Sequence, residues 1–209
     1  MRNDLCAEAI RLGRVLCELL PDEPENLGLL ALLLLQDSRR KARVNDRDEL
    51  VTLEEQDRSL WDRKQIDEGV RLVERALALG AAGKYQIQAA IAAVHCEAET
   101  AAQTDWRQIV ALYEELLRLY ASPVIALNHA AAVAMADGVE AGLRLIEEIG
   151  EAGKLDNYYL YHAARADLLR RLNRRDAAHA AYLRALSLTT NQVEQNYIRR
   201  RIQETLVAN

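Results

Sequence analysis

Phenylalanine is absent from the 209 residues, and the chain has only three prolines, three cysteines and nine glycines. Alanine and leucine together make up about a third of it, a composition that favours helices over sheets. Three cysteines are too few for a disulfide framework and suit a reducing cytoplasm. The N-terminus lacks a basic segment followed by an apolar one, so we expect a cytoplasmic protein without an export signal.

Long apolar runs and an excess of basic residues are also missing. The longest apolar run, Leu27 to Leu35, is far shorter than the roughly 18 residues that cross a bilayer, so no membrane partner is expected. The net charge is −5, from 32 acidic and 27 basic residues, which argues against direct nucleic-acid binding. Half of the residues are hydrophobic, enough to form a substantial core.

The clearest internal unit, from Tyr159 to about Thr190, has the pattern of two helices joined by a short turn at Asn173. Ala166 is the small residue of the first helix, and Ala178, Tyr182 and Ala185 line one face of the second. This pattern is similar to a tetratricopeptide (TPR) repeat of about 34 residues, in which small residues let two helices pack closely.

The same pattern, with changes in length, predicts an all-α fold. We expect a TPR-like helical-repeat solenoid of about ten antiparallel helices in one domain, residues 1–209. Its parts are an unpaired helix at 5–20, helix pairs at about 24–79, 84–120, 123–149 and 157–188, a charged insert at 39–61 and a C-terminal capping helix at 191–206. Ala131 is predicted as the small residue of the third pair, and Arg199, Arg200 and Arg201 are expected to face solvent.

The helix at 5–20 reads as the second helix of a pair whose first helix is missing. Ala9, Gly13 and Leu16 form its packing face. A repeat end of this kind exposes apolar surface to water, so we expect the chain to be truncated at Met1. A homodimer through this exposed helix is a further expectation.

Patterns typical of catalysis or metal binding are missing from the sequence. No histidine pair has the HExxH spacing and no cysteine pair has the CxxC spacing. Cys6 and Cys17 fall on one helix face and are expected to pack in the core. His95 and Cys96 are adjacent, so they point about 100° apart on a helix and suit joint metal ligation poorly. We therefore predict no enzyme activity, no catalytic residue, no metal and no cofactor.

The charged insert offers the first group of candidate binding residues, because tryptophan and arginine dominate interface hot spots. One interpretation is a loop pinned to the helices by Trp61 and by buried Asp–Arg pairs, and the other is a recognition surface. The candidate partner-binding residues here are Arg39, Arg40, Asp57, Arg58 and Trp61.

The concave face of a TPR solenoid offers the second group, since it is the usual peptide groove of such folds. In this repeat assignment the groove includes Lys84, His95, Asn128, Asp167 and Arg170. The amide of Asn128 could bind the backbone of an extended peptide. The alternative is that Asn128 caps or crosslinks neighbouring helices.

Seven segments occur in an order that resembles the C-terminal extension of a group of bacterial extracytoplasmic-function (ECF) RNA polymerase sigma factors. They are LLPDEPE at 19–25, QDSRR at 36–40, QDRSLWDR at 56–63, YQIQAAIA at 85–92, TDW at 104–106, SPV at 122–124 with ALN at 126–128, and HAARADLLR at 162–170. In that group a TPR-like extension follows the two sigma regions that bind DNA and polymerase, and those regions are missing from this sequence.

The resemblance implies a regulatory protein-interaction domain of an ECF sigma factor, which directs RNA polymerase to promoters in transcription initiation. The implied partners are the sigma regions of the full-length protein, RNA polymerase or a signalling protein, with no direct nucleic-acid contact by this segment. The alternative function is a free-standing TPR adaptor that binds an extended peptide.

Overall fold

A computed structural model describes residues 3–80 and 82–207. Within these residues there are ten α-helices, three short 3-10 turns and one isolated β-bridge between Val44 and Leu50. The helices are α1 (Asn3–Leu19), α2 (Pro24–Asp37), α3 (Arg63–Ala78), α4 (Lys84–Glu97), α5 (Trp106–Leu119), α6 (Pro123–Ala136), α7 (Val139–Glu151), α8 (Tyr159–Arg171), α9 (Arg175–Leu188) and α10 (Gln192–Val207). The predicted all-α class is confirmed.

The helix starts follow local sequence signals. Pro24 and Pro123 occupy the first turns of α2 and α6, where a missing N–H costs nothing. The carboxylate of Asp62 accepts hydrogen bonds from the backbone N–H groups of Lys64 and Gln65, and Asp105 caps α5 in the same way. These caps satisfy N–H groups that have no partner inside the helix.

The helices are short for a membrane span. The longest in the described part of the chain, α1, has 17 residues, and the apolar α2 and α6 have 14 each. Within the residues that the structure describes, no helix is both long and apolar enough to cross a bilayer.

Consecutive helices pack in pairs, α2 with α3, α4 with α5, α6 with α7 and α8 with α9. Glycine permits the closest approaches between helices. A Cβ atom on Gly28 of α2 would lie 2.7 Å from the backbone nitrogen of Gln86 in α4, and one on Gly142 of α7 would lie 2.4 Å from the Cβ atom of Ala134 in α6. Small residues at these crossings let the backbones come together.

The helices form two compact units, and the insert contributes to both. The first unit comprises the described residues up to Arg43 and those from Thr52 to Tyr120, and the second comprises Val44–Val51 and the described residues from Ala121 onward. The first core is built around Ala31, Leu35, Trp61, Ile66 and Cys96. The prediction of a single domain over residues 1–209 stays a prediction.

The core of the second unit forms where α6, α7, α8, α9 and α10 pack together. Tyr182 of α9 is fully buried between Ala178 and Ala185, each of which has no exposed surface, and this confirms the predicted packing face. Asn173 forms the turn before α9 with a positive φ of 58°. The prediction of Ala131 as the small residue of α6 is wrong by one position, because Ala130 is buried whereas Ala131 is exposed.

The tip of the insert lies in the second unit and contacts α10. The side-chain oxygen of Asn45 accepts hydrogen bonds from the backbone N–H groups of Arg47 and Glu49, each at 3.0 Å, which closes the tip into a turn. Arg200 of α10 lies 3.7 Å from the Glu49 carboxylate.

The expectation of three solvent-facing arginines on α10 is wrong for Arg201. Its side chain is buried, its guanidinium lies 5.1 Å from the ring centre of Tyr197, and it pairs with Glu204 at 2.9 Å. Arg199 is exposed, as expected, and Arg200 is partly buried. Stacking on an aromatic ring lets a long arginine side chain cover apolar surface while its charge stays paired.

Candidate protein-interaction surface

The two ends of the insert meet in the first unit. The backbone N–H of Asp62 donates a hydrogen bond to the carbonyl of Ser38 at 2.9 Å, which joins the end of α2 to the start of α3. A cavity of about 660 Å³ opens beside this junction, and it is called the insert pocket below. The insert pocket is lined by Ala7, Ile10, Asp37, Ser38, Arg40, Lys41, Ser59, Leu60, Trp61, Asp62 and Gln65.

Asp37 organises the polar wall of the insert pocket. Its carboxylate accepts hydrogen bonds from the Nε atom of Arg40 at 2.8 Å and from the amide of Gln65 at 3.1 Å. One carboxylate thus links α2, the 3-10 turn at 40–42 and α3. The sequence pattern indicates Arg40 but neither Asp37 nor Gln65, because nothing local indicates that residues 28 positions apart share a hydrogen bond.

Trp61 is 4% exposed and lies between two arginines. The guanidinium carbon of Arg58 is 4.5 Å from the Trp61 ring centre, and that of Arg39 is 5.8 Å away. These distances are within the range of cation–π attraction. Burial lowers the pKa of both guanidinium groups, although arginine remains charged at neutral pH.

Arg58 connects the insert to the end of α4. Its guanidinium donates hydrogen bonds to the carbonyl oxygens of His95 at 2.7 Å and Ala98 at 2.5 Å. Because the last carbonyls of a helix have no partner inside it, a buried arginine is well suited to satisfy them. Thr104 lies 3.4 Å from the same guanidinium.

These contacts support the interpretation of the insert as a loop pinned by Trp61, with one correction. Arg58 bonds to carbonyl oxygens and Arg39 to the side chain of Gln36 at 2.7 Å, so neither makes the expected buried pair with an aspartate. Arg40 does pair with an aspartate, Asp37. Three of the five insert candidates, Arg39, Arg58 and Trp61, are therefore largely inaccessible to a partner.

Asp57 stands on the outer side of the insert. It is exposed and accepts a hydrogen bond from the backbone N–H of Ser59 at 2.9 Å. Hydrogen bonds from Ser59 lower the pKa of the Asp57 carboxyl. Leu60, which is 47% exposed, lies on the rim of the insert pocket, so the accessible surface here combines charge with an apolar side chain.

His95 lies next to the arginine–tryptophan cluster. Burial and the positive charges of Arg39 and Arg58 lower its pKa to about 4. Its ring makes an edge contact with Trp106, with 5.1 Å between centroids. His95 is therefore neutral at physiological pH and is a packing element rather than a charged groove residue.

Cys96 is fully buried, and burial raises the pKa of its thiol. A buried thiol of this kind is protonated and unreactive at neutral pH. In the parts of the chain that the structure describes, no group of three or more histidine, cysteine, aspartate or glutamate residues is arranged to hold a metal ion.

Lys84 marks the start of α4. It is exposed, and its ammonium lies 5.3 Å from the ring centre of Tyr85. The same helix end is capped by Glu25, whose carboxylate accepts hydrogen bonds from the N–H groups of Tyr85 at 3.0 Å and Gln86 at 3.1 Å. No local sequence pattern predicts this cap, because Glu25 is 60 residues away from Tyr85 in the sequence.

The remaining groove candidates lie in the second unit. Asp167 and Arg170 pair on α8 at 2.6 Å, and Asp167 also binds Arg171 at 2.7 Å. Asn128 is exposed on α6. Arg171 of α8 contacts Met135, which also belongs to α6. Lys84 and His95 belong to the first unit, and the continuous groove through all five residues stays a prediction.

A known protein family matches the N-terminal part of the chain. Residues 1–77 match the family model described as a family of unknown function, DUF6596. The matched region includes the whole insert and every residue that lines the insert pocket.

A similar protein is the uncharacterized protein R00370 of Rhizobium meliloti (strain 1021). It is 50% identical to this chain over 196 residues, which cover 94% of the chain. The chain spans about half the length of this curated relative, 46%. More than half of the relative therefore lies outside the matched region.

Proposed function

We propose that this chain is a regulatory protein-interaction domain of a bacterial ECF sigma factor and acts in the cytoplasm during transcription initiation. It catalyses no reaction in this proposal. Its helix pairs form a TPR-like solenoid, which docks on the sigma regions, on RNA polymerase or on a signalling protein. Docking shifts the balance between promoter-competent and inactive states.

The observation that supports the proposal is that some side chains of the insert are buried and hold it in place, whereas others are exposed to a partner. The QDSRR and QDRSLWDR segments, which carry much of the resemblance to the sigma-factor extension, meet at the insert pocket. Arg58 and Trp61 point inward and hold the insert against α4, whereas Asp57 and Leu60 remain exposed. A surface fixed in advance loses little conformational entropy when a partner binds.

The length of the relative supports the proposal as well. A protein in which this region occupies less than half of the chain has room for two sigma regions. The acidic balance of the present chain fits a segment that regulates without touching DNA.

The first experiment uses the Rhizobium meliloti relative, with and without the matched segment. We expect the full-length relative to copurify with core RNA polymerase and to drive a promoter reporter, and we expect deletion of the segment to change reporter output severalfold. A relative that neither binds polymerase nor affects transcription would refute the sigma-factor proposal.

The second experiment locates the surface by point substitution in a chimera that carries this chain in place of the matched segment. Leu60→Ala and Asn128→Ala remove exposed side chains, so they should leave the melting temperature unchanged and shift reporter output. Leu183→Ala, at a leucine that is 48% exposed on α9, is the matched control. Reporter output that follows only melting temperature would mean that Leu60 and Asn128 are structural.

A free-standing adaptor that binds an extended peptide is the alternative function. The exposed amide of Asn128 on α6 favours it, since an amide can both donate to and accept from a peptide backbone. The two functions differ in the outcome of the deletion experiment, because an adaptor has no effect on promoter choice. Loss of peptide binding in Asn128→Ala, with transcription unaffected, would favour the adaptor.

A further inference from the structure

Two arginine side chains converge on one neutral oxygen atom at the end of α2. The guanidinium groups of Arg39 and Arg43 each donate a hydrogen bond to the side-chain oxygen of Gln36, and both distances are 2.7 Å. Arg43 also donates to the backbone carbonyl of Gln36 at 2.8 Å. Because Gln36 is exposed, the two guanidinium groups meet at the surface of the first unit.

The positive charge of this cluster has no acidic partner. In the part of the chain that the structure describes, no carboxylate forms an ion pair with Arg39, Arg43 or Arg58. Asp37, the acid nearest to them in the sequence, is committed to Arg40. Arg39 is only 8% exposed, and its Nε atom has no hydrogen-bond partner among the described residues. A buried charge without a counter-charge is costly.

Neighbouring groups only partly offset this charge. The carbonyl ends of α2 and α4 accept hydrogen bonds from Arg43 and Arg58, but a helix end carries only a partial negative charge. Burial and, to a smaller extent, the charges of Arg43 and Arg58 lower the pKa of the Arg39 guanidinium. The end of α2 therefore carries a net positive charge that a full negative charge would compensate.

We propose that a carboxylate of the docking partner, from an aspartate or glutamate side chain, binds between Arg39 and Arg43 in place of the Gln36 amide. The inference rests on the proposed function, since the partner is the protein on which this domain docks. A carboxylate has the planar shape of the amide that it displaces, and it accepts hydrogen bonds from guanidinium groups more strongly. The exposed side chain of Gln36 can turn into solvent without leaving a cavity.

The position of the site favours a side chain of a protein over a small molecule. Small ligands bind mostly in enclosed pockets. Gln36, Arg39 and Arg43 lie outside the lining of the insert pocket, and Gln36 is open to solvent. A single acidic side chain on the surface of a partner can reach such a site, where it meets Arg43 and the outer end of the mostly buried Arg39.

Binding of an acidic peptide tests the site without any transcription assay. The probe is a fluorescently labelled hexaglutamate peptide, with hexaglutamine as its control. The net charge of −5 opposes non-specific binding of an acidic peptide. Arg43→Gln should weaken binding about tenfold, whereas Arg47→Gln, at an exposed arginine four residues later, should not change it. No binding to the wild type, or equal binding to the wild type and Arg43→Gln, would overturn the proposal.

Gln36→Glu places a carboxylate at the site within the same chain. It should raise the melting temperature by about 2–4 °C and abolish hexaglutamate binding, because the site is then occupied. Gln203→Glu, at an exposed glutamine near the end of α10, adds the same charge elsewhere and should do neither. A Gln36→Glu chain that is no more stable than the wild type and still binds the peptide would contradict the site.

The reporter assay in the chimera separates the site from the proposed function. Arg43→Gln and Gln36→Glu should each remove the effect of this domain on reporter output, and Arg47→Gln should retain it. Peptide binding that depends on Arg43, in a chain without any effect on transcription, would support the carboxylate site and refute the sigma-factor proposal. An effect on transcription without peptide binding would refute the site alone.

Discussion

The side-chain carboxylate of Glu25 accepts a hydrogen bond from the backbone N–H of Gln86 at 3.1 Å, across 61 residues of sequence. Glu25 lies in the first turn of α2, and the N–H groups that it satisfies belong to the start of α4. The helix that begins at Lys84 therefore receives its N-terminal cap from another helix rather than from its own flanking residue, Gly83. This contact fixes how α2 and α4 pack.

Glu25→Ala should destabilise the chain by about 0.5–2 kcal/mol, the usual cost of losing a helix cap. The loss should appear in urea unfolding at neutral pH. Glu25→Gln keeps an acceptor and should lose less, and Glu23→Ala, at an exposed glutamate two residues earlier, should have little effect. Equal losses of unfolding free energy in Glu25→Ala and Glu23→Ala would mean that the cap does not contribute to stability.

Arg58→Ala should destabilise the first unit by about 2–4 kcal/mol, because it leaves the carbonyls of His95 and Ala98 unsatisfied and removes the stacking on Trp61. Thermal unfolding measures the loss. Arg63→Ala, at an exposed arginine at the start of α3, is the control. An Arg58 variant as stable as the control would return Arg58 to the list of accessible binding residues.

Stability should fall as the pH is lowered from about 6.5 to about 4, in part because of His95. Its pKa is about 4 in the folded chain and 6.5 in the unfolded chain, so between these values the unfolded chain binds more protons. The loss of unfolding free energy that His95 causes is absent above pH 6.5. It is complete below pH 4, where it reaches about 3 kcal/mol.

The test for His95 compares urea unfolding at pH 7 and pH 4.5. The stability of His95→Gln should depend less on this change in pH than the stability of the wild type does. Identical pH dependence in the wild type and in His95→Gln would show that His95 does not titrate in this way.

Tyr182→Ala should cost about 3–5 kcal/mol, because the side chain is fully buried in the second unit and its removal leaves a cavity. Tyr120→Ala, at a tyrosine that is 41% exposed, should cost much less. Denaturant unfolding of both variants checks the difference. A loss below about 1 kcal/mol for Tyr182→Ala would contradict its assignment to the core.

Local signals in the sequence predicted the helices well. Proline at helix starts, aspartate caps and the spacing of apolar residues act within a few positions, so the bounds of α2, α3 and α6 could be placed to within one residue. The Ala178–Tyr182–Ala185 face was predicted for the same reason, because its spacing is a property of one helix. The prediction for Ala131 is wrong because apolar residues occur on nearly every side of α6, so periodicity gives no unique inner face.

Local signals could not predict which charged side chains are buried. The segment around Arg58 is rich in charge, and charge ordinarily indicates exposure. Arg58 is buried because free carbonyls at the end of α4, about 40 residues away, need a donor. Arg201 is buried for a related reason, since Tyr197 and Glu204 accommodate its charge within α10. The carbonyl groups that bind Arg58 become its neighbours only after folding. The partners of Arg201 lie within about one helical turn, and its burial depends on how α10 packs against α9.

The chain passes between its two compact units three times, since Val44–Val51 belongs with the residues that follow Tyr120. During synthesis this segment leaves the ribosome long before Arg200, its partner in α10. The helices of the first unit can fold as they emerge, whereas the tip of the insert must wait until α10 has been made. A nascent chain stalled before α10 would therefore present an unpaired acidic loop to chaperones and proteases.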